Sequence, residues 1–376
     1  MGLEIIPVRT AADLRTFIRL PAVLPGRRPN YVPPVLADER AWHDPARNPG
    51  LRGVELERWL AFADGRPVGR VAGLVHAPYN RQHGEATVRF HQLDAVNDLG
   101  VAQALLSAVE RWGLERGMRR VMGPFGLSDK DPQGLQVEGF EHLPVVATPT
   151  NPAHLPLLVE ACGYTKHTDC VSYRLAVPHQ VPERYARVAA HAMGGEGLHV
   201  VPLRSKRDLK PWIIPVLELV NRTYGDLLGF VPMGGDEMRK LAGDYLSLLD
   251  PALVVVIADR TDAPVAFVVA VPDLSEGLQR CRGRLYPFGF LHVFAAMRRA
   301  RQLDLLLGAV RHDLQGRGLT AALGVQLFAE ARDRGFTTID SHLVLETNKA
   351  MRAQLERLGG EVYKRYRIYA KALRAA

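Results

Sequence analysis

Cysteine is scarce in this chain. The 376 residues include only Cys162, Cys170 and Cys281, an odd number without metal-ligand spacing. That leaves no disulfide framework and no expected metal, and it suits a reducing compartment. Aromatic residues make up 7% and are not interleaved with a basic stripe. With no helix-turn-helix or zinc-finger spacing either, nucleic acid is the least supported partner. Long hydrophobic runs are missing: Leu253 to Ala258 and Val265 to Val271 are strand length, far short of the roughly 20 residues of a membrane span. The N-terminus has neither a basic region nor an apolar core, and Met1-Gly2-Leu3-Glu4-Ile5-Ile6 lacks the hydroxyl residue of a myristoylation site, so the expectation is a cytoplasmic protein. Acids are outnumbered, 40 against 48 Lys and Arg, for a net charge of +8. Such a balance favours a nucleic acid, an anionic membrane surface or a polyanionic cofactor. A hydrophobic content of 47% at this length is enough for two domains with full cores.

The chain carries an internal repeat. Leu3-Glu4-Ile5-Ile6-Pro7-Val8-Arg9 with Asp13-Leu14 matches Leu198-His199-Val200-Val201-Pro202-Leu203-Arg204 with Asp208-Leu209. At nearly the same offset, Tyr31-Val32-Pro33 answers Phe230-Val231-Pro232, and Thr150-Asn151-Pro152-Ala153 answers Thr347-Asn348-Lys349-Ala350. Each copy reads as strand, one or two helices, β-hairpin, strand, helix, strand, helix and final strand, a mixed α/β order. The expected division is 1–177, a linker 178–197 with Pro178, Pro182 and Gly194-Gly195 around a helical pattern from Glu183 to Ala192, and 198–376.

The halves differ at one loop. In the second, the apolar run Leu305 to Val310 breaks into His312-Asp313-Leu314-Gln315-Gly316-Arg317-Gly318-Leu319-Thr320 before a helical pattern. Two glycines spaced by one residue let successive backbone N–H groups converge, and the following helix adds the positive end of its dipole. This predicts a pyrophosphate cradle. The first half has Asp94 to Ala102 there, with no glycine pair and with Asp98 as the expected helix cap.

Downstream of the loop come a β-rich run from Phe336 to Leu345, then Glu346-Thr347-Asn348 and a helix from Ala350 to Leu358. This order resembles the GNAT N-acyltransferase superfamily, whose signature is Gln/Arg-x-x-Gly-x-Gly/Ala after the fourth strand and an Asn opening the helix after the fifth. Gln315, Gly318 and Asn348 match. Thr320 replaces the last small residue, and Leu355 stands where many relatives place the Tyr that protonates the departing thiolate. Phrases such as Pro29-Asn30-Tyr31-Val32-Pro33-Pro34 and Gly126-Leu127-Ser128-Asp129-Lys130-Asp131 are similar to a tandem bacterial branch of that superfamily, and the chain's size resembles the bacterial ceramide synthases. The resemblance implies two tandem GNAT-type domains, each a twisted mixed sheet flanked by helices. It implies acyl-CoA held in the second half by Val310, Gln315, Gly316, Arg317, Gly318, Leu319, Thr320 and Asn348, and transfer to an amine, with a sphingoid-type amino lipid as one acceptor.

An aliphatic amine of pKa about 10.4 costs roughly 4 to 5 kcal/mol to deprotonate at pH 7, whereas expelling a thiol of pKa about 8.5 as thiolate costs about 2. A base therefore matters more than the missing Tyr. Candidates are Glu346, His342 and His312, the first two sharing parity on the fifth strand. Two insertions are candidates for the acceptor pocket. Gly123 to Gly134 in the first half brings Asp129 and Lys130, and the segment from Asp273 through Tyr286 to Arg299 is aromatic, apolar and rich in arginine. The second reads as a helix packed between domains, a wall for a long acyl chain or a peripheral membrane contact. Two other readings stay open: a non-catalytic acyl-CoA sensor, and a tandem GNAT-fold transferase using aminoacyl-tRNA.

Overall fold

The computed structural model describes residues 2–25, 29–194, 197–246 and 248–374. Met1, Gly195 and the last two alanines, which bound or punctuate the expected domains, lie outside them. Its strands are β1 (Leu3–Pro7), β2 (Val54–Ala63), β3 (Arg66–His76), β4 (Thr87–Ala95), β5 (Arg120–Gly123), β6 (Leu135–Glu138), β7 (Thr165–Ala176), β8 (His199–Val200), β9 (Val254–Ala258), β10 (Pro264–Pro272), β11 (Gln302–Val310), β12 (Thr338–Asp340), β13 (Val344–Leu345) and β14 (Glu361–Ala372). They join into one sheet in the order β1-β2-β3-β4-β5-β14-β7-β12-β11-β10-β9-β8, with β6 on β14 and β13 on β7.

The repeat is visible in local chemistry. Thr10 and Ser205 each cap the first helix of their half, accepting from the Asp13 and Asp208 N–H groups while those carboxylates accept from the caps in return. Such reciprocal caps satisfy two otherwise orphaned donors. In each half the strand before the main crossover helix carries a bulge. Leu306 is skipped between the Val269–Leu307 and Ala270–Leu305 pairs, and Gln92, at φ 50, lies in the shifted register of β4. The crossover helices follow: Leu99–Leu114 on β2 to β4, capped by Asp98, and Leu319–Asp333 on β9 to β11.

The final strands are exchanged. The N-terminal half's β7 runs antiparallel to β12 of the C-terminal half, with Asp340 opposite Arg174. In turn β14, the last strand of the chain, pairs with β5 of the N-terminal half, Tyr369 opposite Gly123. A small core of Met122, Phe125, Cys170, Tyr366 and Ile368 sits where the halves meet.

One expectation is revised. The run Phe336 to Leu345 is not one strand, because residues 341–343 leave the ladder between β12 and β13 and His342 takes φ 57. Parity between His342 and Glu346 therefore does not carry across the break. The segment after Asp273 forms two helices, Ser275–Cys281 and Gly289–Arg299. One side packs Leu274, Leu278 and Val293 against Val32, Val35 and Val146, so it does lie between the halves.

Gly229 is one of the close approaches between the two halves. It has φ +73, and a Cβ there would stand 2.1 Å from the Phe125 ring. Gly229→Ala should destabilise the protein by about 1–3 kcal/mol, read as a lower urea midpoint at unchanged m-value.

Candidate functional site

β11 and β12 run parallel only from Gln302 to Asp304 and from Thr338 to Asp340. Beyond that they separate. Leu305 to Val310 keep β10 as neighbour on one side and face open space on the other. A cavity of about 710 Å³ fills the gap. It passes through the sheet, lined by Val216, Val220 and Phe230 on one face and by Leu319, Leu323 and Met351 on the other. A strand edge with no neighbouring strand beside an apolar tunnel can hold an extended ligand with its own amides and an alkyl tail, although the Gly308 and Val310 carbonyls already accept from the Tyr224 hydroxyl and the Gln315 amide.

The N-terminal half has the same opening between β4 and β5, but it is filled. Phe125 donates its N–H to the Phe90 carbonyl at 2.9 Å and is fully buried. Arg89 donates to the Gly126 and Leu127 carbonyls. The Asp131 carboxylate accepts from the Trp42 indole at 2.8 Å and from the Leu127 N–H at 2.6 Å. The loop from Gly123 to Gly134 thus occupies its own half's opening and sends its tip into the other half's cavity, where Asp129, Lys130 and Gln133 line the wall. Lys130 reaches across to donate to the Val231 carbonyl at 3.2 Å.

Gly316 and Gly318 both have positive φ, 76 and 90, and Gly318 precedes the helix Leu319–Asp333. The Ala321 and Ala322 N–H groups of that helix donate to the Gly318 carbonyl at 3.0 and 3.2 Å, which leaves those of Leu319 and Thr320 without an intrahelical acceptor. They open on a second cleft of about 1210 Å³, whose other wall is the linker helix Glu183–Met193 with Arg184, Arg187 and His191. Arg317 and Arg357 also line it. Val310, Gln315, Gly316, Leu319, Thr320 and Asn348 line the first cavity, and Gly316, Arg317, Gly318, Leu319 and Thr320 the second. The Asn348 Oδ1 is used as helix cap, accepting from the Met351 N–H at 3.1 Å.

The three candidate bases are dispersed. Glu346 is not in the cavity lining; its carboxylate accepts from Lys166 at 2.8 Å and from the Asp169 N–H at 3.0 Å. Burial pulls its pKa up, but the Lys166 and Asp169 hydrogen bonds outweigh this and leave it below the ordinary value. His312 is exposed outside the cavity, its Nε2 at 3.0 Å from the Arg222 carbonyl. His342 does line the cavity. Its Nε2 lies 3.0 Å from the Val146 carbonyl, which only accepts, so Nε2 carries the proton. Burial keeps the ring neutral by lowering its pKa. Of the acceptor residues, Asp129 and Lys130 line the cavity. Asp273 instead caps the Ser275 N–H at 2.8 Å, and Tyr286 is 84% exposed.

Tyr224 escaped the sequence reading. It lines the cavity and donates its hydroxyl to the Gly308 carbonyl at 2.8 Å, and burial pushes its pKa up to about 12. Leu355 also lines the wall, nearly fully buried.

No protein-family model matches the chain. It is 30% identical over 379 residues to the bacterial ceramide synthase of Caulobacter vibrioides, covering 99% of this chain and 98% of the other. The chain belongs to the tandem GNAT N-acyltransferases, in the branch of that enzyme. Protein YghO of Escherichia coli is 29% identical over 369 residues, covering 96% and 93%. Among solved structures, a tandem GNAT protein from the clavulanic acid biosynthesis pathway aligns over the whole of both chains with TM-score 0.53 at 14% identity. A GCN5-related N-acetyltransferase from Sphaerobacter thermophilus aligns over 100% of this chain and 96% of its own with TM-score 0.51, also at 14%. Both likenesses are to the fold. This tandem GNAT chain is an acyltransferase, and among its described residues no helix is long and apolar enough to cross a membrane.

If the second cleft holds a diphosphate, its cations matter. Arg184→Glu or Arg187→Glu should weaken coenzyme A binding about tenfold, roughly 1.4 kcal/mol, with a difference that shrinks as salt is raised, read by calorimetry.

Proposed function

We propose that this GNAT chain transfers a long acyl group from coenzyme A to the nitrogen of an amino lipid. The observation that carries this is the apolar cavity along the open edge of β11. Its volume, about 710 Å³, lies within the roughly 300–1,000 Å³ of small-molecule sites, and an acetyl group would leave most of its alkyl wall bare. In this reading the edge of Leu305 to Val310 takes the amide-bearing arm, with Asn348 beside it, and the loop Gln315 to Thr320 takes the diphosphate. Residues 198–376 form the donor half, 1–177 the acceptor and structural half, and 178–197 the joint. The sphingoid-type acceptor is supported by the name of the Caulobacter relative.

The arginine-rich helices supply a surface for such a substrate. Tyr286, Phe288, Leu291 and Phe294 are 84%, 70%, 53% and 48% exposed, and between Glu276 and Asp304 the sequence has no acid but six arginines. Exposed aromatics ringed by cations suit an anionic lipid headgroup layer, so this face is assigned to peripheral membrane contact. The protein should sediment with vesicles containing phosphatidylglycerol and much less with phosphatidylcholine alone, and F288E with F294E should abolish the difference.

A second reading, an acyl-CoA sensor without turnover, is favoured by Leu355 at the position of the usual Tyr. Thiol release separates the two. With palmitoyl-CoA and a long-chain 2-amino-1,3-diol, free thiol and an amide product are expected at a rate at least tenfold above that with acetyl-CoA. Val220→Trp, which fills the tunnel, should reverse the preference. Palmitoyl-CoA binding without thiol release would favour the sensor.

A further inference from the structure

Among the described residues, the cavity contains a carboxylate with one oxygen that no hydrogen bond satisfies. Asp129 sits at the tip of the loop that the N-terminal half sends across, 14% exposed at its side chain. Its Oδ1 is buried with no hydrogen-bond partner among the described residues. Lys130 Nζ is 3.9 Å away, an ion-pair distance too long for a hydrogen bond; it donates to the Val231 carbonyl and also faces the Glu237 carboxylate at 3.6 Å. The neighbouring Asp131 has the opposite character, both oxygens taken by the indole and backbone donors that lock the loop. A buried, unsatisfied carboxylate oxygen in an apolar cavity costs stability unless a ligand satisfies it.

We infer that Asp129 is the catalytic residue that takes the proton from the attacking amine and hands it to the departing thiol. The inference rests on the acyltransferase reading above. The amine enters neutral, a form that an apolar cavity favours. Its nitrogen bonds the thioester carbonyl carbon, and one nitrogen proton passes to the Asp129 carboxylate. The C–S bond then breaks with its electron pair on sulfur, and the proton moves from Asp129 to that thiolate, leaving amide and free thiol.

The electrostatics suit both steps. Burial pushes the Asp129 carboxyl up to about 6, with Lys130 pulling it down and Asp131 and Glu237 adding to the rise. Tyr224, whose phenol feels the Asp129 charge, faces the same cavity. At pH 7 a group of pKa about 6 is ionised roughly ten to one, ready to accept. Once protonated, it passes its proton downhill to a thiolate whose acid has a pKa about 8.5. One carboxyl can therefore act as base and then acid, which accounts for an enzyme with Leu355 where the phenol usually stands.

The test is the pH profile of thiol release from palmitoyl-CoA with a long-chain 2-amino-1,3-diol, in the full-length protein. The wild type should lose activity below an acid limb near pH 6, the carboxylate being the active form. Asp129→Asn should lower kcat about 10²–10⁴-fold and abolish that limb, while palmitoyl-CoA affinity and melting temperature stay close to wild type. Lys130→Met, which removes the cation pulling the carboxyl down, should shift the limb to higher pH, and it serves if the amide variant does not fold. The assignment is overturned if Asp129→Asn keeps its rate within threefold or its limb in place. It also fails if the limb in Lys130→Met does not move, or if Glu346→Gln or His342→Asn alone removes it. Absence of thiol release from the wild type would instead bring down the transferase reading, and the base with it.

Discussion

The exchange of final strands is the constraint on which the rest of the structure depends. β14 lies between β5 of one half and β7, pairing along the latter from Glu361 to Ala370, and β7 in turn carries β12. Its alternation ties the arrangement down. Lys364, Tyr366 and Ile368 are fully buried on one face, while Arg365 and Arg367 on the other reach the buried Asp169 of β7 at 3.5 and 2.9 Å. Slipping the register by one residue would send the arginines into the core and Tyr366 and Ile368 to solvent. Lys364 stands 4.0 Å from Asp340, both at 0% side-chain exposure. A buried pair of that kind adds little net stability but makes alternative pairings costly.

Because the halves share strands, the loop that fills one opening reaches the other, and this lets the first be reused. The N-terminal copy has the parallel strands, the bulge and the capped crossover helix that would form a donor cleft, and then closes it with Phe125 and Leu127. What remains of that cleft is a rigid support for Asp129. The rigidity comes from Asp131, which ties the loop back to Trp42, and from the Arg89 guanidinium that holds the Gly126 and Leu127 carbonyls. A carboxylate meant for proton transfer needs such positioning, since small displacements of a catalytic group are costly.

The linker helix has a comparable double position. It packs against the crossover helix Leu319–Asp333, and a Cβ on Gly318 would meet Val188 at 2.8 Å, so Gly318 is glycine for a close approach as well as for its φ. The same approach brings Arg184 and Arg187 to the cleft beside the loop. The joint between the repeats is therefore part of the wall of the candidate cofactor site.

Much of this architecture was legible in the chain itself. The duplicated Leu3 and Leu198 segments, the Asp13 and Asp208 caps, the Gln315-to-Thr320 loop and the apolar run of β11 are local patterns, and local patterns report helices, strands and turns because their causes lie within a few residues. Three-dimensional neighbourhood is another matter. Nothing adjacent in sequence tells that Lys166 neutralises Glu346 across 180 positions, that a loop near residue 129 enters a cavity walled by residues 305 to 310, or that Tyr224 faces it. Those relations follow from long-range strand pairing and desolvation, which set the charge state and accessibility of each group. The residues alone determined a duplicated mixed α/β chain with one glycine-bearing loop opening a helix; only the tertiary structure decided which carboxylate lies in the cavity with a buried oxygen that no hydrogen bond among the described residues satisfies.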